Sequence, residues 1–174
     1  MSKHLGLDPE KVVKNIIYAE AFTSDHQMFL LENADEIIKE NNIKLLIVDS
    51  LTAHFRSEYI GREMLATRQQ RLNKHMHKLI SLARAFNAVA VVTNQVMAKP
   101  DQFFGDATHP IGGHIVGHTS HTRIYLRRAS HGPVRIARLV SSPYLPEGEE
   151  ILKVTENGIE DVTEEEKANK VRGR

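Results

Sequence analysis

Two short stretches, residues 43–48 (IKLLIV) and 88–93 (AVAVVT), are apolar almost without interruption. An unbroken apolar run suits a strand covered on both faces, the environment of a parallel sheet. Between them, residues 64–87 carry Leu65, Leu72, Met76, Leu79, Leu82, Ala83 and Phe86 at a spacing that buries one face of a helix. Strand, helix and strand in that order make a βαβ unit and set an α/β architecture.

The flanking sequence extends the pattern. Asp8-Pro9-Glu10 reads as an N-cap, a first-turn proline and a first-turn acid, opening a short helix through Lys14. Residues 15–21 (NIIYAEA) then read as a strand. Ser24 or Asp25 can cap a second helix through about Glu40, with Met28, Leu31, Ala34, Ile37 and Ile38 on one face and Asn41-Asn42 ending it. A polar loop follows Val48, and a stretch bearing Gly and Pro covers residues 95–113. Alternation in residues 122–128 and 134–140, around Ser130-His131-Gly132-Pro133, predicts an antiparallel hairpin that closes the sheet. The expected fold is α/β, with a mainly parallel central sheet flanked by helices and antiparallel C-terminal strands. Residues 1–160 are read as one domain, and residues 161–174 as a charged, disordered tail.

The chain has no cysteine, which removes disulfides and thiolate metal sites and fits a reducing compartment, so a cytoplasmic setting is expected. No apolar run is long enough to span a membrane. The formal charge of +1 hides opposite blocks. Residues 54–78 hold Arg56, Arg62, Arg68, Arg71, Lys74 and Lys78 against Glu58 and Glu63. Residues 123–138 hold five arginines and no acid, and residues 147–166 are strongly acidic. Such blocks serve either as solvated faces or as contacts for a polyanion.

Several positions carry candidate chemistry. LLIVDS ends an apolar strand in Asp49, the shape of a Walker B element; ligands of parallel sheets gather at the strands' carboxyl ends, where a carboxylate can hold Mg²⁺ through water. A turn-forming Asp reads the same way in one sequence. Thr93-Asn94-Gln95 repeats the arrangement on the next strand, and Gln95 could sense a phosphate-bound water or simply form a turn. Arg56, Arg62 and Arg68 follow Asp49 in a loop with Tyr59 and Gly61; they suit backbone phosphates and equally suit solvent. Lys99, Pro100, Phe103 and Phe104 open a long loop whose aromatics could meet bases, a neighbouring subunit or the core. His114 and His118 are four apart, yet no third ligand follows at a metal-binding spacing; a phosphate-facing His118 fits better.

Taken together, the strings AFTSDHQ (residues 21–27), LLIVDSLTAHFRSEYIGRE, TNQV, FFGD followed by HPIGGHIVGH, and SPYLPEGE resemble the archaeal RadA recombinases and their eukaryotic counterparts, of the RecA superfamily. The resemblance runs over roughly residues 5–161. It implies a partial RecA-like ATPase core from a DNA-dependent ATPase that polymerises on single-stranded DNA and pairs it with a homologous duplex, in recombination and DNA repair. ATP and Mg²⁺ would be its cofactors. Asp49 then matches the Walker B carboxylate, with Ser50 beside it, and Gln95 the amide coupling nucleotide state to the second DNA loop. Arg56, Arg62 and Arg68 fall in the first DNA loop. Lys99 and Pro100 fall in the second, Pro100 where a wedge between base triplets is expected, with Phe103 and Phe104 further along. His118 matches a histidine addressing the terminal phosphate held by a neighbouring subunit, and Pro143 and Pro146 lie in the segment capping that neighbour's adenine. Such a site implies head-to-tail self-assembly into a filament.

Two departures stand out. Ser141-Ser142-Pro143 replaces the family's usual Asp-x-Pro. The string G-x-x-x-x-G-K-[ST] occurs nowhere in the chain, nor does the family's catalytic glutamate strand. A P-loop supplies the backbone N–H groups and lysine that neutralise β and γ phosphates, so ATP affinity in this chain alone is expected to be low. Three expectations follow: a C-terminal recombinase portion separated from the rest by gene splitting, an intein-type interruption or an incompletely read gene, with a separate N-terminal chain carrying the P-loop as one way to complete it; a non-catalytic paralogue that binds DNA or recombinase filaments without hydrolysing ATP; or a DNA-binding fragment. A sheet lacking the P-loop strand is expected to show a bare edge and a bare apolar face.

Overall fold

Asp8 accepts from the Glu10 amide at 3.0 Å and opens α1 (Pro9–Lys14), where the proline's missing N–H would have had no helical partner in any case. The helix ends at Asn15, whose side-chain amide turns back to donate to the Lys11 carbonyl at 2.8 Å. Residues 15–21, expected as a strand, form none: no strand pairs with them among the described residues, and Ile16, Ile17 and Tyr18 are exposed. An apolar run becomes a strand only when a neighbour takes its backbone groups. This computed structural model describes residues 1–98, 108–110, 113–129 and 133–163. They form two compact units, one of Met1–Tyr18 with the described residues from Ser120 onward, the other of Ala19–Thr119.

In the second of these units, Thr23 rather than Ser24 or Asp25 is the N-cap of α2 (Ser24–Glu32), its hydroxyl accepting from the His26 amide at 3.0 Å. The single helix expected to Glu40 is two. Asn33 folds its amide onto the Phe29 carbonyl at 2.8 Å and stops α2, and α3 (Asp35–Glu40) begins after Ala34. Asn41 ends α3 by the same device, donating to the Ile37 carbonyl at 3.0 Å. Side chains that satisfy terminal carbonyls locally compete with continuation of the helix.

The βαβ unit is present. β1 (Leu45–Val48) pairs in parallel with β2 (Val89–Val92), with Leu45 opposite Val89 and Val48 opposite Val92. The expected polar loop after β1 contains a helix, α4 (Ala53–Glu58), before the long α5 (Leu65–Ala85). Leu72, His75, Met76, Leu79 and Leu82 form the buried face of α5. Met28, Leu51, Phe55, Leu72, Met76 and Val116 make the core, and Val48, Tyr59 and Val92 pack against it. That accounts for one face of the strands. On the other, Leu45, Ile47, Val89 and Val91 are 45–62% exposed, so among the described residues the strands expected to be covered on both sides are covered on one. β3 (Val96–Ala98) and β4 (Thr108–Pro110) form a short antiparallel ribbon, followed by α6 (Gly113–Thr119).

In the other unit, β5 (Arg123–Arg128), β6 (Val134–Ser141), β7 (Gly148–Thr155) and β8 (Gly158–Asp161) form an antiparallel meander. The predicted hairpin is there, but its strands bond into a sheet of their own rather than closing the parallel one. β7 and β8 turn through Glu156-Asn157, with Gly158 at φ +128°. A residue with a side chain is strained there, and a Cβ would also press on Met1. Glu160 and Asp161 lie in β8, and Val162 after them is buried. The α/β class with a parallel sheet and antiparallel C-terminal strands therefore holds.

Candidate functional site

Because β1 and β2 are parallel and in register, the residues that follow them emerge side by side. Asp49 is exposed at the tip of β1, and the Thr93 hydroxyl donates to its carboxylate at 2.5 Å. The Thr93 amide donates to the Val48 carbonyl at 3.1 Å, and the Leu51 amide to the Thr93 carbonyl at 2.9 Å. The Thr52 hydroxyl, from a residue only 2% exposed, donates to the Asn94 side-chain oxygen at 2.7 Å. Four hydrogen bonds thus join the end of β1 to Thr93-Asn94, and Gln95 is exposed one residue on. The Asp49–Ser50 peptide is cis. Ser50 places a buried hydroxyl here with no partner among the described residues.

This donor set suits one kind of cation. Among the described residues no group of three or more His, Cys, Asp or Glu could enclose a metal ion. Asp49 offers a single exposed carboxylate flanked by hydroxyls and amides. Mg²⁺ is commonly held in that way, through one carboxylate and water, with phosphate oxygens completing its octahedron.

The arginines do not share one loop. Arg56 lies on α4, Arg62 lies in the connection after it, and Arg68 is in the first turn of α5. Arg56 and Arg62 are exposed, whereas Arg68 is half-buried and its Nη1 lies 3.5 Å from the Tyr59 carbonyl. Tyr59 is held from two sides. The Arg71 guanidinium sits 5.6 Å from its ring centroid and pairs with Asp25, and neighbouring Glu58 accepts from the Ser24 amide at 2.7 Å and from the Ser24 hydroxyl. The base of the arginine-bearing segment is therefore fixed to α2 and α5.

Lys99, Pro100, Phe103 and Phe104 lie outside the described residues, between β3 and β4. His118 is exposed on α6. Pro143 and Pro146 belong to the other unit, in the exposed connection from β6 to β7; there the Ser142 hydroxyl accepts from the Tyr144 and Leu145 amides at 3.2 Å, and Tyr144 is 91% exposed. Sequence reasoning passed over the side chains that hold the tips: Thr52, Thr93, Gln27 and His75. Gln27 Nε2 donates to the Leu51 carbonyl at 3.3 Å and lies 3.1 Å from His75 Nε2. Burial pushes the His75 imidazole down to about 4, against a weaker opposing pull from Glu32. The signal for His75 was available, since it occupies the apolar stripe of α5 one residue before Met76.

Comparison with known proteins gives a consistent answer. The family model described as Rad51 matches residues 1–162. The chain is 51% identical over 161 residues to a DNA repair and recombination protein RadA from Aeropyrum pernix, which covers 92% of this chain and 50% of that protein. The chain therefore spans about half the length of this curated relative.

Proposed function

Because this chain belongs to the Rad51 family, we propose that it is the part of a strand-exchange recombinase that carries the Walker B carboxylate and the DNA-facing arginines, acting in DNA recombination and repair. The observation carrying this reading is the pair of adjacent strand tips, with Thr93 donating to Asp49 at 2.5 Å. In this reading Asp49 would hold Mg²⁺ through its water shell, with Ser50 beside it in the same turn. Mg²⁺ supplies charge neutralisation on the phosphates. Gln95 follows the tip directly and leads into β3, so a change at the phosphates passes to the ribbon flanking the second DNA loop with Lys99, Pro100, Phe103 and Phe104.

Arg56 and Arg62, exposed on a fixed base, contact the backbone of single-stranded or duplex DNA, with Arg68 beside them. His118 addresses the terminal phosphate at a neighbouring subunit, and the segment of Pro143 and Pro146 covers that neighbour's adenine in a head-to-tail filament. The exposure of all three supports this assignment. The chain contains no P-loop string. The bare face of Leu45, Ile47, Val89 and Val91 supports a partner polypeptide that carries the P-loop and covers that face. Among the described residues no helix is long and apolar enough to cross a membrane, and a cytoplasmic setting completes the proposal.

The test is phosphate release from ATP on single-stranded DNA. The chain alone is expected to be inactive, and a polypeptide bearing the family's P-loop half is expected to restore turnover that Asp49→Asn abolishes. Robust turnover by the chain alone, or an unaffected Asp49→Asn mixture, would overturn it. The bare face also favours a second reading, a non-catalytic module docked on recombinase filaments; binding to filaments with no effect on turnover would select that one.

A further inference from the structure

We propose that Gln27 and His75 are a buried positioning pair that holds the Leu51 carbonyl and so fixes the Asp49–Ser50 turn against Thr93. Its bearing on function rests on the reading of Asp49 above, while its geometry does not. Gln27 is 7% exposed, His75 2% and Leu51 0%, so each polar atom among them must find its partner inside the protein. The Leu51 carbonyl only accepts, so the atom of the Gln27 amide that faces it is the nitrogen. That nitrogen's other hydrogen points to His75 Nε2, 3.1 Å away, which must then accept. The ring is consequently neutral, with its proton on Nδ1.

The Phe55 ring, 1% exposed and 5.8 Å from the imidazole centroid, closes the dry side of this contact. Leu51 is gripped at both ends of its backbone, its carbonyl by Gln27 and its amide by the Thr93 carbonyl at 2.9 Å. Asp49 and Ser50 are the residues immediately before it. An apolar side chain at position 75 would pack in the same stripe as Leu72, Met76 and Leu79 without demanding a partner. The polar pair instead selects one placement of the turn, because every other placement leaves a buried donor or acceptor unmatched.

Long-range ¹H–¹⁵N NMR on the full chain reads the tautomer, and Nε2 is expected without a proton. Amide exchange reads the positioning. His75→Leu is expected to speed exchange at Leu51 and Thr93 about tenfold while amides in the centre of α5 and in the antiparallel sheet stay unchanged. His75→Gln, whose side-chain oxygen can accept from Gln27, is expected to return them to within about twofold of wild type. Mn²⁺ line broadening at residues 50 and 93 should weaken in His75→Leu and recover in His75→Gln. A proton on Nε2, acceleration spread evenly over the whole unit, or no effect at Leu51 would overturn the pair. If His75→Leu does not fold, the wild-type tautomer and Gln27→Leu decide the same question. Wild type untouched by Mn²⁺, with the exchange pattern as expected, would sink the reading of Asp49 and leave the pair supported.

Discussion

Arg127 and Arg138 in the antiparallel sheet face carboxylates, Glu149 at 3.3 Å and Glu147 at 3.5 Å, whereas Arg56 and Arg62, following β1, have no ion-pair partner among the described residues. As sequence the two basic blocks look alike. The difference lies within the blocks rather than between them: Arg71, Lys74 and Lys78 on α5 are compensated by Asp25, Glu32 and Asp35, as Arg127 and Arg138 are by Glu149 and Glu147, and the stretch holding Arg56 and Arg62 is left out of such pairing. The cores differ in the same sense. The helical unit gathers Met28, Leu51, Phe55, Leu72, Met76 and Val116 into one cluster, while Ile136 and Val162 are the buried apolar residues of the sheet unit among those described. The lesson is that the parallel pair takes its stability from the helices that flank and connect its strands and leaves the residues after its strand tips exposed, whereas the antiparallel sheet is built from neighbouring hairpins with ion pairs across its strands.

The contrast can be broken first at Phe55. Phe55→Ala should cost about 3–5 kcal/mol, measured by denaturant unfolding with exchange probes in both units. A loss below about 1 kcal/mol would mean the helical unit does not depend on its cluster. Acid supplies the next largest effect. Above pH 6.5 His75 is neutral folded or unfolded; between 6.5 and about 4 the unfolded chain binds a proton that the folded one refuses. Stability should therefore fall by about 3 kcal/mol across that window and gain no further loss from this group below it. His75→Gln should flatten that part of the profile.

Leu46 is half-buried, so Leu46→Ala should cost about 1–2 kcal/mol, less than Leu72→Ala at a fully buried position. The smallest effects sharpen the charge comparison. Arg62→Ala should lower the slope of log affinity against log salt for single-stranded DNA by about one. Arg127→Ala should leave that slope alone and change stability by less than about 1 kcal/mol, as expected for an exposed ion pair. Equal slopes for the two variants would erase the distinction between the arginines outside ion pairs and those within them.

Patterns with a single physical cause were legible in advance. The apolar runs gave β1 and β2, the stripe from Leu72 to Leu82 gave α5, and Asp8-Pro9-Glu10 gave the start of α1. Features decided by competition were not. Asn33 stopping α2, and the failure of residues 15–21 to find a pairing neighbour, depend on which partner a backbone group meets. The β7–β8 turn was readable, since Asn157 followed by Gly158 is a turn signal, but no strands were assigned on either side of it. At the site, residue types at the tips could be named from LLIVDS and TNQ, yet the bonds that hold them, from Thr93, Thr52 and Gln27, join positions tens of residues apart and leave no periodic trace.

The apolar square on the outer side of β1 and β2 makes abundance a structural variable. Four aliphatic side chains meeting water lower their free energy whenever another greasy surface comes near, and only dilution opposes them. With the square uncovered, self-association grows with concentration, so the same four side chains that complete β1 and β2 also set how concentrated these strands can be before they meet one another.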